Sequence, residues 1–130
     1  MQNKIAKLRT IKILFVEDEV DLITIISDTL SKLGANFLTA RNGAEGLEVL
    51  KNNDDIQLIV SDINMPIMNG IEMIRNIRES GSDIPCIIMS AHTEPEYLKS
   101  ADELNVTDYI LKPFDFIKFI NLVSELDLSK

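Results

Sequence analysis

The sequence predicts a doubly wound α/β domain, a parallel β-sheet with helices on both faces. Short β-branched runs alternate five times with longer segments of helical period. Three of those runs, Ile13-Leu14-Phe15-Val16, Leu58-Ile59-Val60 and Ile87-Ile88-Met89, are apolar throughout, as strands covered on both faces are. The links between segments are short, and strand–helix–strand units joined this way return by right-handed crossovers to one parallel sheet.

The strands are expected at Ile11–Val16, Asn36–Ala40, Gln57–Ser61, Cys86–Met89 and Tyr109–Leu111, with the three apolar runs central. Five strands of this length point to the flavodoxin-like order 2-1-3-4-5. The first helix is expected from Val20 to Leu33, with Leu22, Ile25, Ile26, Thr29, Leu30 and Leu33 on one stripe and Gly34 as a left-handed stop. A short second helix, near Ala44 to Lys51, buries Leu47 and Leu50. A third follows Asn69-Gly70 and turns Ile71, Ile74 and Ile77 inward, with Glu72, Arg75 and Arg78 outward. The fourth opens at Thr93-Glu94-Pro95-Glu96, a capping-box pattern with proline in the first turn, and reaches Leu104. The fifth runs from Asp115 to Leu126. Its apolar residues fill an arc of about 160°, and Ile117 lies about 60° beyond it, so one edge is expected to be exposed.

One domain accounts for all 130 residues, with residues 1–10 an N-terminal extension, 11–127 the folded unit and 128–130 a tail. Hydrophobic residues make up 45% and charged residues 26%, which argues against disorder and membrane insertion. Thirteen Lys and Arg against twenty-one Asp and Glu leave a net charge of −8, which repels phosphate backbones and anionic lipid, so no direct nucleic-acid or membrane binding is expected. The basic first ten residues lack the continuous apolar core of a secretory signal, and a cytoplasmic address follows by default. Cys86, the single cysteine, lies inside an apolar run and reads as a buried packing residue.

In open α/β sheets ligands bind beyond the carboxyl ends of the strands, where strand order reverses. The residues following the strands are therefore informative. Glu17-Asp18-Glu19 follows the first, Asp62 the third, Ser90 the fourth and Lys112-Pro113 the fifth. Three carboxylates within a few ångströms repel by about 2–4 kcal/mol for each close pair at an effective dielectric of ~20. A cation must compensate. An all-oxygen donor set suits Mg²⁺, and the absence of clustered His or Cys argues against zinc. Neither Gly-x-x-x-x-Gly-Lys-Ser/Thr nor Gly-x-Gly-x-x-Gly occurs, so a nucleotide cradle is not expected. A carboxylate can itself attack phosphorus and form an acyl phosphate, and Asp62 is the best placed to do so.

Glu17-Asp18, Asp62 with Ile63-Asn64-Met65-Pro66 and Asn69-Gly70, Ser90-Ala91, and Lys112-Pro113-Phe114 together resemble the receiver domain of bacterial two-component response regulators, over Lys12 to Leu126. The resemblance implies that Asp62 accepts a phosphoryl group from a histidine kinase or phosphotransfer protein. Glu17, Asp18, Asp62 and the main-chain carbonyl of Asn64 would hold Mg²⁺, and Lys112 would pair with Asp62 and then with the phosphate. It further implies that the Ser90 hydroxyl bonds a phosphoryl oxygen and that Tyr109 is the aromatic switch residue. From their positions beside the site, the Asn64 side chain is expected to tune the lifetime of the phosphate, and His92, two residues after Ser90, the access of water. The surface of the fourth helix, fifth strand and fifth helix would bind a downstream effector, an output domain or a second copy as a homodimer. Other readings remain at this stage. An aspartyl-nucleophile phosphohydrolase would need a second acid where Asn64 stands, an FMN carrier lacks its phosphate loop here, and a docking-only receiver would not need the acids and lysine.

Overall fold

The computed structural model describes residues 6–90, 95–111 and 115–126. Strands β1 (Lys12–Val16), β2 (Asn36–Ala40), β3 (Leu58–Asp62), β4 (Cys86–Ser90) and β5 (Asp108–Leu111) alternate with helices α1 (Val20–Lys32), α2 (Gly43–Asn52), α3 (Gly70–Glu79), α4 (Pro95–Glu103) and α5 (Phe116–Glu125). The sheet is parallel, in the order β2-β1-β3-β4-β5. The three apolar runs are its centre, as their lack of alternation predicts.

Successive strand residues point to opposite faces, so each central strand feeds two cores. Ile13, Phe15, Leu58, Val60, Ile87 and Met89 meet Ile26 and Leu30 of α1 and Phe119, Ile120 and Val123 of α5. Leu14, Val16, Ile59, Cys86 and Ile88 meet Ile71, Met73, Ile74 and Ile77 of α3, together with Ala101 of α4. Phe15 and Phe119 pack with ring centroids 5.5 Å apart.

Helix ends follow the expected signals. Asn42 caps α2 through Glu45 N at 2.9 Å, Asn69 and Glu72 form a reciprocal capping box on α3, and Asp115 caps α5 through Lys118 N at 3.1 Å. Gly34 leaves α1 with φ +77°. Thr93 and Glu94, read as the start of α4, lie outside the described residues.

Four details differ from the sequence reading. Ile25 is 56% exposed, because the buried axis of α1 runs through Ile26 and Leu30 and a residue one position earlier is turned about 100° away. On α2 the fully buried residues are Gly43 and Gly46, while Leu47 and Leu50 are only half-buried. Arg78 does not point simply outward. Its guanidinium donates to Leu104 O at 2.7 Å and Ile84 O at 2.8 Å, tying α3 to the end of α4 and the approach to β4. Finally, residues 6–8 are helical and Leu8 is wholly buried in the α1–α5 core. Beside it Lys7 Nζ donates to Leu126 O and to Ser124 O, and Arg9 Nε donates to Leu33 O at 3.0 Å. Two cations from the extension thus reach the carboxyl ends of α5 and α1, where the helix dipole favours positive charge. No basic residue of α5's own last turn does this. Among the described residues no helix is long and apolar enough to cross a membrane.

Candidate functional site

Glu17 and Asp18 follow β1, and Asp62 ends β3, its neighbour in the sheet. One carboxylate oxygen from each of the three lies within 4.8 Å of the others. Glu17 is wholly buried, Asp62 is 7% exposed and Asp18 is half-buried, so the cluster opens to solvent on the Asp18 side. Three acids are therefore gathered where solvent cannot fully screen them, an arrangement that a hard cation would stabilise. The donors are all carboxylate oxygens, which fits Mg²⁺.

The backbone around Asp62 is closely held. Ile63 N donates to Asp62 Oδ1 at 2.7 Å and orients the carboxylate, while Ser61 Oγ donates to the Asp62 carbonyl at 2.7 Å. Gly70 N donates to Ile63 O at 2.9 Å, which brings the start of α3 back against the end of β3. Gly43 N donates to Met68 O at 2.9 Å, so the loop leading into α2 braces the same segment. Neither brace was anticipated from the sequence, where glycine offers no hydrophobic signal.

A cavity of about 110 Å³ touches Glu17 and Asp18 and is otherwise lined by Val20, Ile23, Thr39, Ala40, Arg41 and Glu45. Asp62 does not line it, so this cavity lies beside the acid cluster rather than between its three carboxylates. A larger groove of about 470 Å³ lies between the carboxyl-terminal halves of α2 and α3, lined by Leu50, Ile56, Asn76, Ile77 and Ile84, none of them a residue of the acid cluster.

The remaining predicted site residues are placed as follows. Asn64 is exposed on the loop after Asp62. Ser90 ends β4 in register with Leu111 of β5, although its side chain lies outside the description. Tyr109 stands on edge strand β5 opposite Ile88, and its half-buried ring packs against the core that holds α3 and α4. Burial first, then the carboxylates of Asp102 and Asp108, push its phenol above the ordinary value, so it stays neutral near pH 7. Lys112 and His92 lie outside the described residues. Glu19 occupies the N-cap of α1 but makes no side-chain capping bond.

Residues 13–124 match the family described as the response regulator receiver domain. The chain belongs to that family. A chemotaxis protein CheY homolog from Campylobacter jejuni is 34% identical over 106 residues, covering 79% of this chain and 82% of that protein. The N-terminal domain of an uncharacterised Wolinella succinogenes protein superposes with a TM-score of 0.82 at 30% identity, over 88% of this chain and 92% of that one. A CheX-CheY-BeF3-Mg complex from Borrelia burgdorferi contains a chain similar at 29% identity, with a TM-score of 0.79, over 87% of this chain and 86% of that one. A receiver domain of a response regulator accepts a phosphoryl group in signal transduction, and this chain shares both the fold and the family sequence.

Proposed function

We propose that Asp62 is the phosphoacceptor and that the chain works as a phosphorylation-controlled switch in a two-component phosphorelay. The observation that carries this reading is the meeting of Glu17, Asp18 and Asp62 carboxylates within 4.8 Å at the carboxyl ends of the neighbouring strands β1 and β3. Asp62 is held at β3's last position with one oxygen fixed by Ile63 N. Its carboxylate attacks the phosphorus of a donor phosphohistidine. An O–P bond forms, the P–N bond breaks, and the imidazole nitrogen keeps the electron pair and takes a proton.

Glu17, Asp18, Asp62 and the Asn64 carbonyl would hold Mg²⁺. When bound, the ion offsets the carboxylates and the incoming phosphoryl charge. Lys112 pairs with the phosphoryl oxygens, and Ser90 donates its hydroxyl to one of them, contacts that exist in only one arrangement of the loops and so bias a two-state equilibrium. Tyr109 is the ring that reports that shift on β5, while Asn64 and His92 tune access of water to the acyl phosphate. The only catalysis is of the chain's own phosphorylation and dephosphorylation.

The donor is a histidine kinase or phosphotransfer protein in the cytoplasm. The output is an effector or a second receiver on the α4–β5–α5 face, a reading that Ile117 on α5 supports by being 61% exposed. Phosphoramidate labelling of the chain should require Mg²⁺, cease on chelation, and fall at least tenfold (about 1.4 kcal/mol) in Asp18→Asn. Labelling that is indifferent to chelator would overturn the assignment of the acids.

A further inference from the structure

Arg41 follows β2 at the rim where the acids sit. Two backbone relationships fix its place. Ala40, the last residue of β2, pairs in register with Val16 of β1, and Glu17 N donates to Ala40 O at 2.9 Å. One residue further along each strand, Arg41 is therefore the neighbour of Glu17, and adjacent strands lie about 4.8 Å apart. On its other side Asn42 caps α2 and Gly43 N is bonded to Met68 O, so the turn is held at both ends. The Arg41 side chain is exposed and, among the described residues, makes no hydrogen bond or ion pair. It lines the cavity of about 110 Å³ together with Glu17, Asp18 and Glu45, and it is the one cation there.

A guanidinium is always charged in a protein. A space of 110 Å³ is narrow beside the Debye length of about 8 Å at physiological ionic strength, so the acids feel that charge without touching it. Its effect has opposite signs on the empty and the loaded cluster. With no ion, a positive charge beside three crowded carboxylates relieves their repulsion and stabilises the fold. Toward a divalent cation entering the same cluster it is a like charge, and it opposes binding. Glu45, on the same cavity, offsets only part of this field.

We propose that Arg41 sets the Mg²⁺ affinity of the acid cluster: it is the cluster's built-in counter-charge in the ion-free chain and weakens the hold on the ion in the loaded one. This role rests on the reading of Glu17, Asp18 and Asp62 as the Mg²⁺ site. Its consequence is that phosphoryl acceptance begins at a higher free Mg²⁺ concentration than the acids alone would require.

The test titrates MgCl₂ calorimetrically into the full chain and its Arg41→Gln, Arg41→Glu and Arg41→Lys variants at low ionic strength, and records the unfolding midpoint of each with and without the ion. Arg41 is exposed, so none of these changes opens the core. Arg41→Gln should bind Mg²⁺ about three- to tenfold more tightly than wild type and, without the ion, unfold at a lower temperature. Arg41→Glu should enlarge both shifts, and Arg41→Lys should match wild type. The ratio of the Gln and wild-type affinities should fall toward one in 1 M NaCl, where the screening length is about 3 Å. Lys51→Gln removes the same charge at the far end of α2 and should leave the affinity nearly unchanged. Equal affinities of wild type and Arg41→Gln at low ionic strength overturn the proposal, as does a shift in Arg41→Lys or Lys51→Gln as large as that in Arg41→Gln. If the wild-type chain binds no Mg²⁺, or Asp18→Asn binds it as tightly as wild type, the reading of the acids as the Mg²⁺ site fails, and the proposal falls with it.

Discussion

A Cβ on Gly70 would lie 2.1 Å from the carbonyl oxygen of Asp62 and 2.9 Å from the Ser61 hydroxyl oxygen. The clash is with backbone, so no rotamer change relieves it, and the end of β3 would have to move. Gly70→Ala is therefore expected to cost ~3 kcal/mol in urea unfolding and to slow phosphorylation of Asp62 by displacing its carboxylate. Wild-type stability in that variant would show that the close approach is dispensable.

Leu8 offers a second test. It is wholly buried between α1 and α5, although it belongs to a basic segment with no hydrophobic period. Leu8→Ala should destabilise by ~2–5 kcal/mol, read from the urea midpoint at unchanged slope. A smaller loss accompanies Lys7→Gln, because a charge at the carboxyl end of α5 is removed.

Arg78 is expected to act as a peg. Arg78→Ala removes the donor from Leu104 O and Ile84 O, at a cost of ~2 kcal/mol, and should speed hydrogen exchange at the amides of residues 104–106 more than elsewhere. Arg78→Lys supplies a single point donor and should recover only part of the loss.

Burial pushes the Cys86 thiol up from 9.0 to about 11, against a smaller opposing pull from Arg78. The unfolded chain loses this proton near pH 9.0 while the folded chain keeps it to about pH 11, so stability is complete below pH 9 and declines through that window. The loss is on the order of 2–3 kcal/mol. Wild type should therefore lose more stability than Cys86→Ala between pH 9 and 11, and parallel curves for the two proteins would contradict the burial argument.

The sheet was legible because Ile13-Leu14-Phe15-Val16, Leu58-Ile59-Val60 and Ile87-Ile88-Met89 advertise two-sided burial, whereas the order β2-β1-β3-β4-β5 came from the fold class and not from the residue pattern. The acids were legible because Glu17, Asp18 and Asp62 sit immediately at strand ends, where topology alone brings them together. What escaped had no periodic signal. Gly43, Gly46 and Gly70 matter for the side chain they lack. Ile25 fell on the wrong side because an i, i+3 count from Leu22 accepts it, whereas the packed axis through Ile26 and Leu30 does not.

The central claim is that Asp62 carries the phosphoryl group, and intact-mass spectrometry after incubation with phosphoramidate and Mg²⁺ tests it most directly. The wild-type chain should gain the mass of one phosphoryl group, mapped to the peptide containing Asp62, and Asp62→Asn should gain none. An equal gain in Asp62→Asn, or no gain in the wild-type chain, would contradict the account.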